Sequence, residues 1–368
     1  MSADAPIRVA VFGNGFARSV MLPGLRHVPA TKVVGIASPN LERARATAQE
    51  FGIEHVAADH RELLQAAEPE LVYVVTPPHR HLEMARDALM AGCHVVCEKP
   101  TALSAKESAS MVVAAEAAPA PRRGGRRPLA LIDHELRFDP RRIALRKLIQ
   151  EGGLGDILHA TYTLTTPGRH DPTGPWTWWS DAAQGGGMWG AVGSHAIDAL
   201  RVLMGEVRAA RGRLATFVKE RTDAAGTRRP VTSDDYATAW LEMASGAPAA
   251  VICSAVESER RHDVLLTGSR GFARLAEQQP LLVKEGKGEW REAANDHDLP
   301  PSAELKIPDT DWARCFIRYS RAIVDAIRAG KDEVESAATF QDGHRNQQVL
   351  DAARKSAGRA EDWVPVGR

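Results

Sequence analysis

The sequence predicts an α/β protein in which an N-terminal doubly wound parallel sheet is followed by a C-terminal α+β domain built on a large, mostly antiparallel open sheet. Two observations carry this prediction. Up to about residue 137, short apolar runs alternate with segments of helical period, as in strands joined by crossover helices. After Phe138 strand-like segments dominate, and several of their connections are too short for parallel crossovers. We therefore expect two domains, residues 1–137 and 138–368.

In the first domain, the candidate strands are residues 7–12, 32–37, 71–76, 94–97 and 129–133. Asn40 is placed to cap a helix over residues 41–51, which Gly52 ends. Gly92 is placed to end a helix that begins near His79. Helices and strands therefore alternate as a doubly wound sheet requires.

In the second domain, Asp139 and Pro140 are expected to begin a helix that ends at Gly152. The candidate strands are residues 157–164, 214–219, 236–243, 249–256 and 263–267. Both alternating sets of side chains in residues 249–256 are largely apolar, so both faces of that strand need cover. Helices over residues 191–204, 316–328 and 347–356 would cover one face. A second subunit is the simplest cover for the other, which predicts a homo-oligomer, a dimer or a tetramer.

The composition excludes several classes of protein. There are 47 basic and 47 acidic side chains, so no net charge favours nucleic acid or a membrane surface. No apolar run approaches the roughly 20 residues of a membrane span, and residues 1–6 leave no room for a signal peptide, so we expect a cytoplasmic protein. Cys93 and Cys97 are interpreted as buried strand residues, and no metal site is predicted. The arginine-rich segment 119–128 is interpreted as a solvated loop.

A glycine pattern follows the first strand. Gly13 permits a tight turn, and Gly15 lets the backbone approach a pyrophosphate that then faces helix N-terminal amides. Arg18 stands where the third glycine of this pattern usually serves helix packing, so we expect a slightly wider helix setting. The pattern predicts a Rossmann dinucleotide site.

The end of the second strand bears on the choice of cofactor. A free ribose hydroxyl calls for an Asp or Glu there, but the chain has Ala37, Ser38, Pro39 and Asn40. The Ser38 hydroxyl and the Arg43 guanidinium would together hold a 2′-phosphate. We therefore favour NADP over NAD; the alternative for Arg43 is an ordinary solvent-facing helix residue.

Four sets of residues, taken in order, resemble the glucose-fructose oxidoreductase, inositol dehydrogenase and rhizopine-catabolism family, Gfo/Idh/MocA, over nearly the whole chain. They are Gly13-Asn14-Gly15 with Pro23; Thr76-Pro77-Pro78 with His81; residues 91–100, which end in Glu98-Lys99-Pro100; and Gly185-Gly186-Gly187 with Gly193-Ser194-His195 and Asp198. The resemblance implies an NAD(P)-dependent dehydrogenase whose Rossmann domain holds the cofactor and whose second domain shapes a pocket for a sugar, polyol or related substrate. The second strand also resembles that of glucose-fructose oxidoreductase, which again favours NADP.

The resemblance also implies roles for particular residues. Lys99 would polarise the substrate oxygen, His195 would act as the base or acid, and Glu98 would contact the nicotinamide ribose. The implied cofactor-binding set is Gly13, Asn14, Gly15, Phe16, Ser38, Arg43, Thr76, Pro77, Pro78, His81, Glu98 and Lys99. The implied substrate-binding set is Lys99, Trp178, Asp181 and His195.

One position departs from the family pattern. The usual acid, four residues before the histidine, is Ala191 in this chain. Asp198 shares a helix face with His195 and would orient its imidazole, or else solvate the helix; Asp181 is a second source of a carboxylate. An arginine often stands in relatives where this chain has Trp179 or Ser180. The glycine run that follows is expected to form a flexible pocket wall.

Three functions remain open. The leading one is a dehydrogenase or reductase for a sugar, a polyol or a related hydroxyl or carbonyl compound. The second is a nucleotide-binding sensor or regulatory protein without catalysis, which Ala191 would permit. The third uses transient oxidation to drive elimination or glycoside cleavage.

Overall fold

The computed structural model describes residues 5–360 and 362–367, which form two compact units. The first unit comprises Lys106–Phe138, Asp298–His344 and the described part of Met1–Ala102. The second comprises Leu103–Ala105, Asp139–His297 and the described part of Arg345–Arg368. The division after Phe138 lies one residue from the predicted boundary. Residues 298–344, which the sequence placed in the second domain, belong instead to the first unit.

The strands are β1 (Ile7–Phe12), β2 (Thr31–Ala37), β3 (His55–Ala57), β4 (Leu71–Val74), β5 (His94–Cys97), β6 (Ala130–Ile132), β7 (Ile157–Thr165), β8 (Val207–Ala215), β9 (Glu220–Thr222), β10 (Arg228–Pro230), β11 (Tyr236–Met243), β12 (Pro248–Ser254), β13 (Arg261–Gly268), β14 (Gly271–Ala276), β15 (Leu281–Glu285), β16 (Arg291–Ala294), β17 (Ala338–Thr339) and β18 (Val364–Pro365). The α-helices are α1 (Leu22–Leu25), α2 (Leu41–Phe51), α3 (His60–Ala67), α4 (His81–Met90), α5 (Ala105–Glu116), α6 (Pro140–Gln150), α7 (Ser194–Met204), α8 (Ser302–Leu305), α9 (Asp311–Arg328) and α10 (Phe340–Ala357).

The first unit is built on a sheet of strand order β17-β6-β5-β4-β1-β2-β3. Strands β1 to β6 pair in parallel, and β17 adds an antiparallel edge to β6. Alternate residues of β1 enter different apolar cores: Ile7, Val9 and Val11 enter one, and Ala10 and Phe12 enter the other. Both faces of the sheet are therefore covered, as expected for a doubly wound fold.

Helix α9 explains why residues 298–344 belong to the first unit. Phe316, Ile323 and Ile327 on this helix are buried in the same core as Ile7 and Val9 of β1. The helix is correctly predicted in part from its apolar period, but the period does not reveal which sheet it covers. That choice depends on tertiary packing.

The second unit is built on a sheet of strand order β16-β15-β14-β13-β7-β12-β11-β8-β18. β7 and β12 pair in parallel, and the remaining neighbours pair antiparallel. The prediction of a large, mostly antiparallel sheet is therefore confirmed. The strand predicted at residues 214–219 is wrong in position, because β8 covers Val207–Ala215. Its exposed arginines alternate with small residues and conceal the apolar pattern.

One row of side chains crosses the open face of this sheet. Trp240 on β11 stands opposite Ala250 on β12, which stands opposite Thr161 on β7, and Thr161 stands opposite Leu265 on β13. Trp240 is 55% exposed, and the other three are partly exposed. The second face of this sheet, which the sequence predicted to need cover, is therefore partly exposed in the structure. The homo-oligomer itself stays a prediction.

The segment 119–128 lies in bends and turns, and several of its arginines pair with neighbouring acids. Arg123 lies 3.6 Å from a carboxylate oxygen of the buried Glu70, and Arg126 pairs with Asp332 at 3.3 Å. Cys93 and Cys97 are buried and not disulfide-bonded. Cys97 lies in β5 as predicted, whereas Cys93 lies one residue before that strand. Among the residues described, no helix has the length and apolar character needed to cross a membrane.

Candidate active site

The glycine turn after β1 is held by close backbone packing. Gly13 has φ +114°, and a Cβ atom at this position would lie 2.3 Å from the carbonyl oxygen of Val75. Its amide donates to the carbonyl oxygen of Ala37 at 2.8 Å. Only glycine satisfies both the positive φ and the close approach, so Gly13 forms the tight turn that the sequence predicted.

The rest of the turn fits a dinucleotide. A Cβ atom at Gly15 would meet no atom within 4 Å, so open space lies over this part of the backbone. The side-chain oxygen of the buried Asn14 has no hydrogen-bond partner among the residues described. Phe16 is 40% exposed. Unlike Gly13, Gly15 is not required by internal packing, and an exposed backbone with an unpaired polar atom suits an approaching phosphate or ribose.

The helix after the glycine turn begins with a π-helical turn. Ala17–Met21 forms a π-helical turn before α1. Arg18, at the position of the missing third glycine, points outward and its Nε lies 2.8 Å from Glu50. The wider helix setting expected from Arg18 stays a prediction.

The end of β2 places the two residues predicted to select the cofactor. Ser38 follows the strand and is 8% exposed, whereas Arg43 lies on the exposed face of α2. Asn40 caps α2 by accepting the amide of Arg43 at 3.0 Å, and Gly52 ends the helix in the left-handed conformation. Both predicted caps are therefore confirmed, and Arg43 is fixed at the first turn of α2.

His81 connects two turns of the first unit. Its Nε2 lies 2.8 Å from the carbonyl oxygen of Thr76, and its Nδ1 lies 3.1 Å from that of Pro100. Burial lowers the pKa of His81 to about 4, so the ring is neutral near pH 7 and donates its single N–H to one of these two oxygens. His81 was predicted as a cofactor contact, but it is fully buried. In the structure it links the turn Thr76-Pro77-Pro78 to the segment that carries Lys99.

Lys99 follows β5 and faces an acid. Its Nζ lies 3.6 Å from Oε2 of Glu98, and its backbone amide donates to the same oxygen at 3.2 Å. The Lys99 side chain is 18% exposed and that of Glu98 is 10% exposed. Burial raises the pKa of Glu98, although Lys99 opposes the change. The ammonium is thereby held at the carboxyl edge of the sheet, where doubly wound proteins bind their ligands.

Two further acids, Asp133 and Glu135, follow β6 at this edge, and the sequence reasoning missed both. Asp133 follows β6, which pairs in parallel with β5, so Asp133 and Glu98 leave neighbouring strands at the same edge. The Asp133 and Glu98 carboxyl groups interact electrostatically, and each affects the pKa of the other. Burial, reinforced by Glu135 and Glu98, raises the pKa of Asp133 well above its ordinary value. A signal was available, since an acid directly after an apolar strand is a typical functional position.

In the second unit, His195 lies in the first turn of α7 and is 4% exposed. A π-helical turn, Trp189–Gly193, leads into the helix. Trp189 is fully buried, donates its indole N–H to the carbonyl oxygen of Leu350 at 3.1 Å, and donates its backbone N–H to Asp234 at 2.7 Å. Trp189 and Asp234 therefore anchor the turn that precedes His195, and the sequence reasoning identified neither.

Asp198 has a different environment from the one expected. Its Oδ1 accepts the amide of Asn346 at 3.0 Å, and the Asn346 oxygen accepts Arg201 at 2.7 Å. Arg201 also makes two hydrogen bonds of 2.8 Å with Glu206. Asp198 thus belongs to a buried network between α7 and α10, and the orienting role toward His195 stays a prediction.

The tryptophan segment packs within the second unit. Trp178–Ser180 forms a short 3-10 helix. Asp181 caps the next turn by accepting the amide of Ala183 and the side-chain amide of Gln184, both at 2.9 Å. Arg169 lies 5.2 Å from the centre of the Trp179 ring and donates to Ser180 at 2.7 Å. A guanidinium thus stands against the positions where relatives often carry an arginine, although it comes from another part of the chain.

The glycine run after this segment is closely packed. Gly185, Gly186 and Gly187 are buried. A Cβ atom on Gly186 would lie 2.3 Å from the carbonyl oxygen of Trp179, and one on Gly187 would lie 2.4 Å from Asp234. The expectation of a flexible wall is therefore wrong, because these glycines permit close contacts rather than movement.

Comparisons with known proteins agree with this arrangement. Residues 7–121 match the family described as the oxidoreductase family with an NAD-binding Rossmann fold, and residues 143–274 match the GFO/IDH/MocA C-terminal domain. An uncharacterized oxidoreductase of Synechocystis is 30% identical over 100% of this chain and 98% of its own length. Levoglucosan dehydrogenase of Pseudarthrobacter phenanthrenivorans is 32% identical over 61% of this chain and 58% of its own length. The structure of levoglucosan dehydrogenase in complex with NADH and levoglucosan has a TM-score of 0.83 and 26% identity, covering 99% of this chain and 100% of that one.

The doubly wound sheet with its glycine turn, together with the match to that family model, identifies the chain as an NAD-binding oxidoreductase. The chain belongs to the Gfo/Idh/MocA family of such enzymes.

Proposed function

We propose that this enzyme is a dehydrogenase or reductase that prefers NADP and acts on a CH–OH group, or the corresponding carbonyl, of a sugar, polyol or related compound. The observation that carries the proposal is the position of Lys99. Its ammonium lies 3.6 Å from Glu98 at the carboxyl edge of the sheet that also carries the glycine turn. A fixed positive charge at this edge suits an oxygen that becomes an alkoxide during hydride transfer.

Residues of the first unit would hold the cofactor. The backbone of Gly13, Asn14 and Gly15 would receive the pyrophosphate, because the space over Gly15 is open. The Ser38 hydroxyl and the Arg43 guanidinium would receive a 2′-phosphate. When bound, the nicotinamide accepts or supplies the hydride.

The proton is assigned to His195. Its ordinary pKa lies near neutrality, so an imidazole can accept the hydroxyl proton in oxidation and return it in reduction. Lys99 stabilises the negative charge that develops on the oxygen. Trp178 and Asp181 are proposed to border the substrate, since an indole face stacks on a sugar ring.

The proposed substrate class is supported by relatives. Levoglucosan dehydrogenase, a sugar-derivative dehydrogenase by its name, matches this chain in sequence and in structure. That relative is described in complex with NADH. The preference for NADP rests on this chain's own residues, since neither Asp nor Glu occurs in the segment 37–40 to accept a ribose hydroxyl.

The cofactor assignment is tested by titrating purified protein with NADPH and with NADH. We expect NADPH to bind at least tenfold more tightly, and Arg43→Ala to reduce this ratio by weakening NADPH binding selectively. Lys32→Ala is the matched control, because Lys32 is also an exposed basic residue but lies near the N-terminal end of β2, away from Ser38 in sequence. Equal affinities in the wild type would refute the NADP preference without refuting the oxidoreductase.

The substrate assignment is tested with a panel of sugars, polyols and their keto forms, by following the nicotinamide absorbance. We expect turnover with at least one compound.

A second candidate function is a nucleotide-binding sensor without catalysis, which Ala191 favours because a methyl group cannot transfer a proton. Tight cofactor binding with no turnover across the panel would support the sensor. Formation of a product with no net change in the oxidation state of the cofactor would instead identify redox-assisted elimination or glycoside cleavage.

A further inference from the structure

Arg169, in the second unit, is a charged side chain that is held in place without a carboxylate partner. Its guanidinium lies 5.2 Å from the centre of the Trp179 ring and donates to the Ser180 hydroxyl at 2.7 Å. Arg169 is only partly exposed, and no acid among the described residues forms an ion pair with it. Ring stacking and a hydrogen bond therefore restrict a side chain that would keep many rotamers on an open surface.

A second arginine, Arg221 on β9, supports the backbone that carries Arg169. Arg221 is 4% exposed and donates to the carbonyl oxygens of Arg169 at 2.6 Å, Asp171 at 2.9 Å and Gly174 at 3.2 Å. Its Nε has no hydrogen-bond partner among the residues described. A buried guanidinium thus fixes the turn on which Arg169 stands and adds a second positive charge that acts on it.

Two acids interact electrostatically with these arginines, but both carboxylates make their hydrogen bonds elsewhere. The carboxylate of Asp235, which attracts Arg169, accepts two backbone amides at 2.8 and 2.9 Å. That of Asp171, which attracts Arg221, accepts the amide and the hydroxyl of Thr173. Burial and the charge of Arg221 lower the pKa of Arg169, so its charge is incompletely compensated within the protein. An anion bound to the guanidinium would complete the compensation.

The position of Arg169 relates it to the substrate. Trp179 and Ser180, which it contacts, stand between Trp178 and Asp181, the two residues proposed to border the substrate. The centres of the Trp178 and Trp179 rings are 6.4 Å apart. An indole face suited to a sugar ring and a planar guanidinium suited to an anion therefore lie close together.

The same segment is packed against the turn that leads to His195. A Cβ atom on Gly186 would lie 2.3 Å from the carbonyl oxygen of Trp179, and one on Gly187 would lie 2.4 Å from Asp234. Asp234 in turn accepts the amide that begins the π-helical turn before His195. The tryptophan segment and the proposed base thus belong to one closely packed region of the second unit.

We propose that Arg169 binds an anionic group of the substrate, a carboxylate or a phosphate, so that the substrate is a sugar acid, a sugar phosphate or a related acidic polyol. The guanidinium presents its N–H donors in one plane, which matches two oxygens of either group. Arg221 is a positioning residue, because it holds the turn of Arg169. The proposal rests on the proposed function, since it assigns a substrate class to the same site.

Binding is tested by calorimetry of the full-length protein with uronates, aldonates and sugar phosphates, each titrated beside its uncharged parent sugar. We expect the anion of at least one pair to bind about tenfold or more tightly than its parent, and Arg169→Met to remove the difference. Arg229→Met is the matched control and should keep it, because Arg229 also lies 5.2 Å from a tryptophan ring, that of Trp176, but pairs with Asp223 at 2.6 Å. No preference for an anion in any pair, or equal losses in the two variants, would overturn the proposal.

The pairs that bind also show whether the anion is a carboxylate or a phosphate. With a substrate that is turned over, Arg169→Met should raise KM for the anionic compound about tenfold or more, change kcat less, and leave KM for the uncharged parent unaltered. Arg169→Lys keeps the charge without the planar fork and should recover part of the affinity. An equal rise in KM for both members of a pair would indicate a structural role and overturn the proposal.

The two proposals fail in different ways. Turnover confined to uncharged sugars would refute the anion site and leave the proposed function intact. Binding of an anion that depends on Arg169, with no turnover of any compound, would refute the dehydrogenase and leave the anion site intact.

Discussion

Asp234 accepts the backbone N–H of Trp189 at 2.7 Å, at the point where the chain turns into the helix that carries His195. Asp234 is partly exposed, and desolvation of its carboxyl group raises the pKa to about 6. Gly187 makes room for it, because a Cβ there would lie 2.4 Å from the Asp234 carboxylate. The bond and the glycine together fix the start of the π-helical turn.

The first prediction concerns the dependence of stability on pH. The pKa of Asp234 is raised in the folded protein, so the favourable contribution of its protonated form is complete below about pH 4 and is lost as the pH rises through about 6. Asp234→Asn removes this titration and keeps an acceptor for Trp189. The free energy of unfolding of the wild type relative to Asp234→Asn should therefore fall by up to about 3 kcal/mol between about pH 4 and pH 7. Urea unfolding at both pH values measures it, and a constant difference would contradict the raised pKa.

The second prediction concerns His81. His81→Ala leaves a buried cavity and removes the ring that links the carbonyl oxygens of Thr76 and Pro100, so we expect a loss of about 2–4 kcal/mol in the free energy of unfolding. The affinity for the cofactor should fall as well, since both turns lie at the carboxyl edge of the first sheet, where the cofactor is proposed to bind. His79→Ala is the matched control, because His79 is exposed and two residues away. Equal effects of the two substitutions would refute the linking role.

The sequence predicted those elements whose signals are local. The caps of α2, Asn40 and Gly52, act within a few residues of the chain, and the Gly13 turn depends on its own φ angle. Strands such as β3 and β17 have two or three residues, too few for a period to appear. Helix α9 was recognised as a helix but assigned to the wrong domain, because its period does not identify its partner.

The site was predicted where a single segment carries the chemistry. Lys99 and Glu98 are adjacent in sequence, and their ion pair follows from that. Asp133 and Asn346 were missed because each meets its partner across a long stretch of chain, Asp133 at Glu98 and Asn346 at Asp198. The glycine inside β8, Gly212, was a sequence feature that indicated a close contact between that strand and another element. A Cβ atom at Gly212 would lie 2.9 Å from Ala353 of α10.

The third prediction concerns the oligomer. Trp240 is 55% exposed in a row with Ala250, Thr161 and Leu265, and a second copy of the chain would bury it. Trp240→Glu should reduce the mass measured by light scattering at micromolar concentration. Trp290→Glu, at a tryptophan that is 42% exposed outside this row, should leave the mass unchanged. A monomeric wild type would refute the predicted homo-oligomer.

The last prediction concerns the proposed pair of catalytic residues. Lys99→Met removes the charge that stabilises the alkoxide and should lower kcat by about 10² or more. Lys106→Met is the matched control, because Lys106 is an exposed lysine of the same unit. His195→Asn should cause a loss of similar size and abolish the limb of the pH profile that reports the base. If both residues serve one proton and charge transfer, the double variant should lose much less than the product of the two single losses. Simple multiplication of the losses would show that the two residues act independently.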